Sequence, residues 1–237
     1  MTLKISKVFS KTVLFLLRSL FLYGFIEARK GSIAPQLIFA VSTLYIVIRN
    51  PYLSLIPFSA ILGLYLVFGI LNALLYSAII SSIPAMWMAL TNLLYLLMAK
   101  SSLSLEAFIE IFIRAEIGAI TVFSLIQTMN ISELCYIVYR VSTTLSQAIE
   151  YFWRLSSQML KETSEMLYVH ALKREKIWKT LAMMFVRGDE IAEQFTEGIY
   201  LKQFSYTPKP IYSKKTVLLE TIMAIIALTT AIILSIH

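Results

Sequence analysis

Glu106, Glu110, Arg114 and Glu116 fall within one otherwise apolar stretch, Leu105 to Thr128. Clustered carboxylates are the raw material of general acid–base chemistry, because burial or a like-charged neighbour holds one of them protonated. Neither a nucleophile nor a metal-ligand set accompanies them, so an intramembrane enzyme is the weakest reading of the four. Charges in hydrocarbon cost several kcal/mol unless they pair or face protein. Glu110 and Arg114 stand at i, i+4, the spacing of an intrahelical ion pair. This possible intramembrane polar pair is read first as structural, packed in a bundle or near an interface, and second as a polar surface for transport or partner docking.

Other chemistry is sparse. Cys135 is the single cysteine, which rules out an intrachain disulfide and fits a small buried apolar side chain. His170, His237 and the single aspartate, Asp189, are too few for a His/Asp metal cluster. The chain has no Gly-x-x-x-x-Gly-Lys-Ser/Thr loop to cradle phosphates. We therefore expect no enzyme activity, no cofactor and no metal centre. Arg187-Gly188-Asp189 matches an adhesion tripeptide but falls inside a helical pattern on the cytoplasmic side.

The elements that would position these residues are set by composition. Hydrophobic residues make up 58% of the chain and charged ones 15%, with mean hydropathy +0.75. That balance belongs to an all-α polytopic membrane protein, not to a soluble domain. The net charge of +7 is spread between apolar runs, which suits a cytoplasmic membrane surface and argues against nucleic acid.

In chain order, residues 1 to 30 read as a basic amphipathic interfacial helix, with Lys4, Lys7, Lys11 and Arg18 in one sector. The rival reading there is a short span with Arg18 snorkelling. Residues 31 to 129 form four spans: Ile33 to Ile48, closed by Arg49-Asn50-Pro51; Leu55 to Ile79; a turn at Ser81, Ser82 and Pro84, then Ile83 to Ala99; and Leu105 to Thr128. Residues 130 to 214 are mostly hydrophilic and helix-patterned, and residues 215 to 237 hold a fifth span, Thr216 to Ile236. With a cytoplasmic N-terminus, four spans return the chain to the cytoplasm near residue 129. The twelve Lys and Arg residues from Arg140 to Lys215 then lie inside, as the positive-inside rule requires. The C-terminus is extracytoplasmic.

Within the hydrophilic section, Met159, Leu160, Thr163, Met166, Leu167 and Ala171 follow i, i+3, i+4 spacing, as do Ile191, Phe195, Ile199 and Lys202. Amphipathic helices of this kind lie against the bilayer or each other and leave their polar ends to a partner.

This section resembles the cytoplasmic part of the T component, the transmembrane coupling subunit, of energy-coupling factor (ECF) ABC transporters of the cobalt and vitamin permease type. The resemblance rests on Glu162 to Arg174, like a Glu-rich helix ending in an Ala-Arg-Gly-like triplet. It rests also on Arg187-Gly188-Asp189-Glu190-Ile191-Ala192 through Gly198-Ile199-Tyr200, like the helix carrying the second triplet. Pro35-Gln36-Leu37 and Arg49-Asn50-Pro51 are similar to the family's first-span opening and its Asn-Pro turn, so the likeness extends over most of the chain.

The resemblance implies a non-catalytic subunit that links one or two cytoplasmic ABC-type ATPases to a membrane-embedded substrate-binding subunit for uptake of a vitamin or transition-metal ion. It places the ATPase contacts at Leu172, Lys173 and Arg174 and at Thr196, Glu197 and Gly198. The sequence departs from the family in having no glycine at the first triplet and a carboxylate, Glu197, where the second has arginine. Lys173 keeps a positive charge without the forked geometry of arginine. These departures leave a second reading open, a membrane scaffold or assembly protein of the same fold that does not couple to ATPases.

Overall fold

The computed structural model describes residues 27–98, 105–173, 177–202 and 208–236, and the expected interfacial helix over the first 26 residues lies outside them. Among the described residues the chain is all-α: a 3-10 turn, Glu27–Arg29, and helices α1 Ile33–Arg49, α2 Leu55–Val67, α3 Leu71–Met98, α4 Leu105–Thr128, α5 Ile131–Tyr139, α6 Thr143–Leu172, α7 Ile177–Lys202 and α8 Lys214–Ile236. They fall into two compact units, residues 27–130 with 211–236, and residues 131–210.

In the first unit α1 packs along α8 and against α4, while α3 packs along α4. α3 and α8 are long and apolar enough to cross a membrane, and α1 and α2 are apolar but shorter. α1 closes at Asn50, whose Oδ1 accepts from the backbone N–H groups of Tyr52 and Leu53 at 3.1 and 3.3 Å. That side chain stands in for a backbone turn and starts the chain toward α2.

The boundary inside the expected second and third spans is corrected. The run from Leu55 to Ile79 is not one helix, because α2 stops at Val67 and the chain turns at Gly69, whose φ is +65°. Glycine takes that left-handed conformation without the penalty a Cβ brings. Ser81, Ser82 and Pro84 form no turn but lie inside the 28 residues of α3. The helix continues because one stripe, Ala73, Ser77, Ser81, Ala85 and Ala89, is buried along its length and holds both sides of Pro84. Packing of this sort re-supports a helix that has lost one N–H.

On α3 and α8 the buried faces are mostly small or polar, Ala, Ser, Thr and Glu220, with Leu74 and Met223 the bulky apolar residues, while Ile83, Trp87, Tyr95, Leu218 and Ile233 are exposed. α1, α2 and α4 bury larger residues, among them Phe39, Ile46, Ile61 and Ile117. Water would drive the large apolar groups inward. In hydrocarbon that drive vanishes, and helices meet through small residues that let their backbones approach.

In the second unit, α5 folds against the start of α6. Ser146 Oγ donates to the Cys135 carbonyl at 2.8 Å, and Cys135 is buried as a small apolar residue. α6 and α7 then form a pair of 30 and 26 residues.

Candidate functional site

Two groups of polar residues stand out, one in each unit. In the second, the α6–α7 pair is clasped by Arg187. Its Nε meets Glu162 Oε2 at 3.1 Å across the pair, and its Nη1 meets Glu190 Oε2 at 2.7 Å on its own helix. These two carboxylates raise the Arg187 guanidinium above its ordinary range, hydrogen bonding to Glu190 contributing most. Glu162 lies ten residues before the end of α6 and Arg187 ten residues after the start of α7, so the helices run antiparallel. The Arg-Gly-Asp tripeptide is therefore part of a helix pairing.

Gly188 faces Met159 across that pair, and an added Cβ would sit 2.9 Å from Met159 Cε. The far end of a methionine moves at little cost. We therefore expect Gly188→Ala to be neutral or stabilising by up to ~1 kcal/mol, from its gain in helix propensity. Gly188→Ile should part the helices and lower stability by about 2 kcal/mol. Thermal unfolding of the two variants checks the opposite signs.

Lys173 is exposed at the turn that ends α6, its N–H donating to the Val169 carbonyl at 3.0 Å. Leu172 is the last residue of α6, and Arg174 lies outside the described residues. Thr196 and Glu197 are exposed on α7, and the Thr196 hydroxyl donates to the Ala192 carbonyl at 2.7 Å. Gly198 lies within α7, which runs on to Lys202, so the second triplet is not at a helix end. The fold does not bring the two triplets together: twenty residues from Ile177 to Glu197 span ~30 Å of helix. Phe152, Phe185 and Val186 are exposed on the same pair.

In the first unit, the Glu110–Arg114 pair is present at 3.9 Å, with both side chains about 40% exposed (40% and 42%). Glu116 accepts from Ser81 Oγ at 2.7 Å. A second and more deeply buried group gathers where α1, α2, α4 and α8 meet. Glu220, 4% exposed on α8, accepts from Gln36 Nε2 at 2.6 Å and from the Ser32 backbone N–H at 2.9 Å. Gln36 also donates to the Thr128 carbonyl at 3.0 Å.

Asn130 Nδ2 donates to the carbonyls of Gly31 and Ile211 at 2.7 and 3.0 Å. Gln127 accepts from the Tyr65 hydroxyl and donates to Ser77 Oγ at 2.7 Å. Arg29 is 7% exposed despite its charge, its Nε donating to the Gln127 carbonyl at 2.7 Å. Burial pulls it down to about 10, which leaves it cationic at neutral pH.

Of this group only Gln36 stands out in the sequence, for its place in Pro35-Gln36-Leu37. Glu220 had a legible signal, since it is the one acidic residue in the last apolar run. The partners had none: Gln36 and Ser32 lie 184 and 188 positions from Glu220. Among the described residues there is no cluster of three or more His, Cys, Asp or Glu that could hold a metal ion. Comparison with protein-family models, with curated proteins and with solved structures returns no match for this chain.

Proposed function

We propose that the chain is a non-catalytic transmembrane coupling subunit of an ECF-type ABC importer, a multi-pass protein with about five membrane helices, its N-terminus cytoplasmic and its C-terminus outside. α1, α2, α3, α4 and α8 are the membrane helices, α2 a short one, and α6 and α7 are the coupling helices. The observation that carries the reading is the clasped α6–α7 pair, which presents Lys173 at one helix end and Glu197 ~30 Å along the other helix. Two exposed charged points that far apart suit two ATPase grooves better than one. The mostly small buried faces of α3 and α8, with large apolar residues exposed, support a lipid environment. A separate membrane protein would bind the vitamin or metal ion, and the energy would come from the ATPases.

The scaffold reading is favoured by Glu197, an exposed carboxylate where the resemblance calls for a cation. A detergent pull-down of the tagged chain from its native membrane separates the two. Wild type is expected to bring down ABC-type ATPases, and Lys173→Glu to lose at least about tenfold of them, since a like charge in an acidic groove costs over 1 kcal/mol. Absence of any ATPase, under conditions that keep other membrane complexes intact, would transfer the assignment to the scaffold.

A further inference from the structure

The face that α4 turns into the bundle is covered over only half its length. Ile117, Thr121, Ser124 and Thr128 form its buried stripe, at spacings of three and four residues. Continued toward the helix start at the same spacing, the stripe runs through Arg114, Glu110 and Glu106. None of residues 105 to 116 is buried. The reason lies in α1, which runs antiparallel to α4: Gln36 meets Thr128, and Leu44 faces Gly118. α1 ends at Arg49, little more than a turn beyond Leu44, so the first two turns of α4 extend past it.

On the open half stands a cation whose donors are unmet. Among the described residues Arg114 meets only Glu110, at 3.9 Å, beyond hydrogen-bond distance, and its Nε is buried without a partner. Arg114 lies ~14 Å along α4 from Leu105, near the middle of the helix. At that depth lipid tails supply no acceptor, and a guanidinium with unmet donors is costly in hydrocarbon. Glu110 already balances the charge. The groups still missing are therefore neutral acceptors, hydroxyl or amide oxygens.

Resting on the reading of α4 as a membrane helix, we propose that the open half of this stripe seats a transmembrane helix of another integral membrane protein, one that offers hydroxyl or amide oxygens to Arg114. Polar side chains on facing helices hydrogen-bond across such contacts in lipid, and arginine is enriched at protein interfaces. A second copy of this chain fits poorly. Two α4 helices related by a two-fold axis along the membrane normal set Arg114 beside Arg114 and Glu110 beside Glu110.

The test is photo-cross-linking of the full chain in its native membrane, with a benzophenone side chain placed at Ile113, beside the stripe, or at Val122, exposed on the second half of α4. Ile113 is expected to give one discrete adduct with a membrane protein, and Val122 adducts with lipid only. Sequencing of the Ile113 adduct should place the contact in an apolar membrane-spanning segment that carries serine, threonine, asparagine or glutamine. Arg114→Met removes the donors at similar length and should lower the yield about tenfold, with Tm in detergent near wild type. Arg114→Lys keeps three donors and should retain most of the yield. If Arg114→Met does not fold, the sequenced contact decides alone, and a segment without a hydroxyl or amide side chain overturns the proposal. Adducts with lipid alone at Ile113, an adduct with a second copy of this chain, or a yield unchanged in folded Arg114→Met would also overturn it. So would labelling of Ile113→Cys by a membrane-impermeant maleimide in a Cys135→Ala background, which would show water along the stripe. An adduct with a soluble protein would instead remove α4 from the membrane, and with it the reading on which the proposal rests.

Discussion

Gly31→Ala is expected to destabilise the chain by about 3 kcal/mol, well beyond what alanine normally does outside a helix. A Cβ at position 31 would fall on the Glu220 carboxylate. A carboxylate at the end of a flexible side chain would ordinarily swing aside. Glu220 is buried and fixed by Gln36 Nε2 and the Ser32 N–H, so moving it breaks two hydrogen bonds, one of them from the buried Gln36 amide. Unpaired buried donors cost about 1–3 kcal/mol each, and overpacking adds to that. Thermal unfolding in detergent measures the loss. The cause is isolated by a double-mutant cycle: in a Glu220→Ala background the overlap is gone, and Gly31→Ala should then cost less than about 1 kcal/mol. An undiminished cost in that background would point to the backbone at Gly31 instead.

Asn130→Ala should cost a similar amount, about 3 kcal/mol, for a different reason. Asn130 is 2% exposed, and its single amide nitrogen serves two carbonyls from distant parts of the chain. One belongs to Gly31, just before α1, and the other to Ile211, just before α8. Removing the amide breaks the buried bond to the Gly31 carbonyl and the part-buried one to Ile211. Asn130→Asp keeps the shape but sets acceptor against acceptor, so it should be at least as damaging as alanine. If aspartate were tolerated, the side chain would be acting as a spacer and not as a donor. The ends of α1 and α8 should respond together, because the Ser213 N–H also donates to the Lys30 carbonyl at 2.8 Å and the Thr216 hydroxyl to the Glu27 carbonyl at 2.9 Å.

Both substitutions act far from Lys173 and Glu197 in sequence, which makes them useful beside the ATPase pull-down. A variant that loses ATPases because it has unfolded will show a fallen Tm. Lys173→Glu, on an exposed turn residue, should leave Tm near wild type. The comparison separates loss of docking from loss of fold.

Reading along the chain found the helices because their signals are local. The i, i+3, i+4 spacing around Met159 and Met166 and the apolar run from Thr216 to Ile236 each lie within one element. The Ser81-Ser82-Pro84 cluster misled for the same reason: as composition it reads as a turn, and only the stripe from Ala73 to Ala89, buried against neighbouring helices, keeps it helical. Gly69 carries the real break, and nothing in its immediate neighbours marks it out from Gly63, which stays helical. Arg187 illustrates a further limit. Its spacing to Glu190 is visible on one helix, but Glu162, 25 positions away, is reached only once α6 and α7 lie antiparallel.

The sequence by itself determined the all-helical class, the partition into apolar and hydrophilic sections and the positions of most helices, because hydropathy and periodicity depend on near neighbours. Only the tertiary structure decided which faces are buried. In runs where nearly every residue is apolar, hydropathy distinguishes no face; on α3 and α8 the face turned inward is mostly small side chains, which lets backbones approach. It also decided that Arg29, Gln36, Gln127, Asn130 and Glu220 belong to buried polar contacts. Each must satisfy its polar atoms away from water, and the partners that do so come from segments 92 to 188 positions apart in the contacts of Arg29, Gln36 and Glu220, and 81 and 99 apart in those of Asn130.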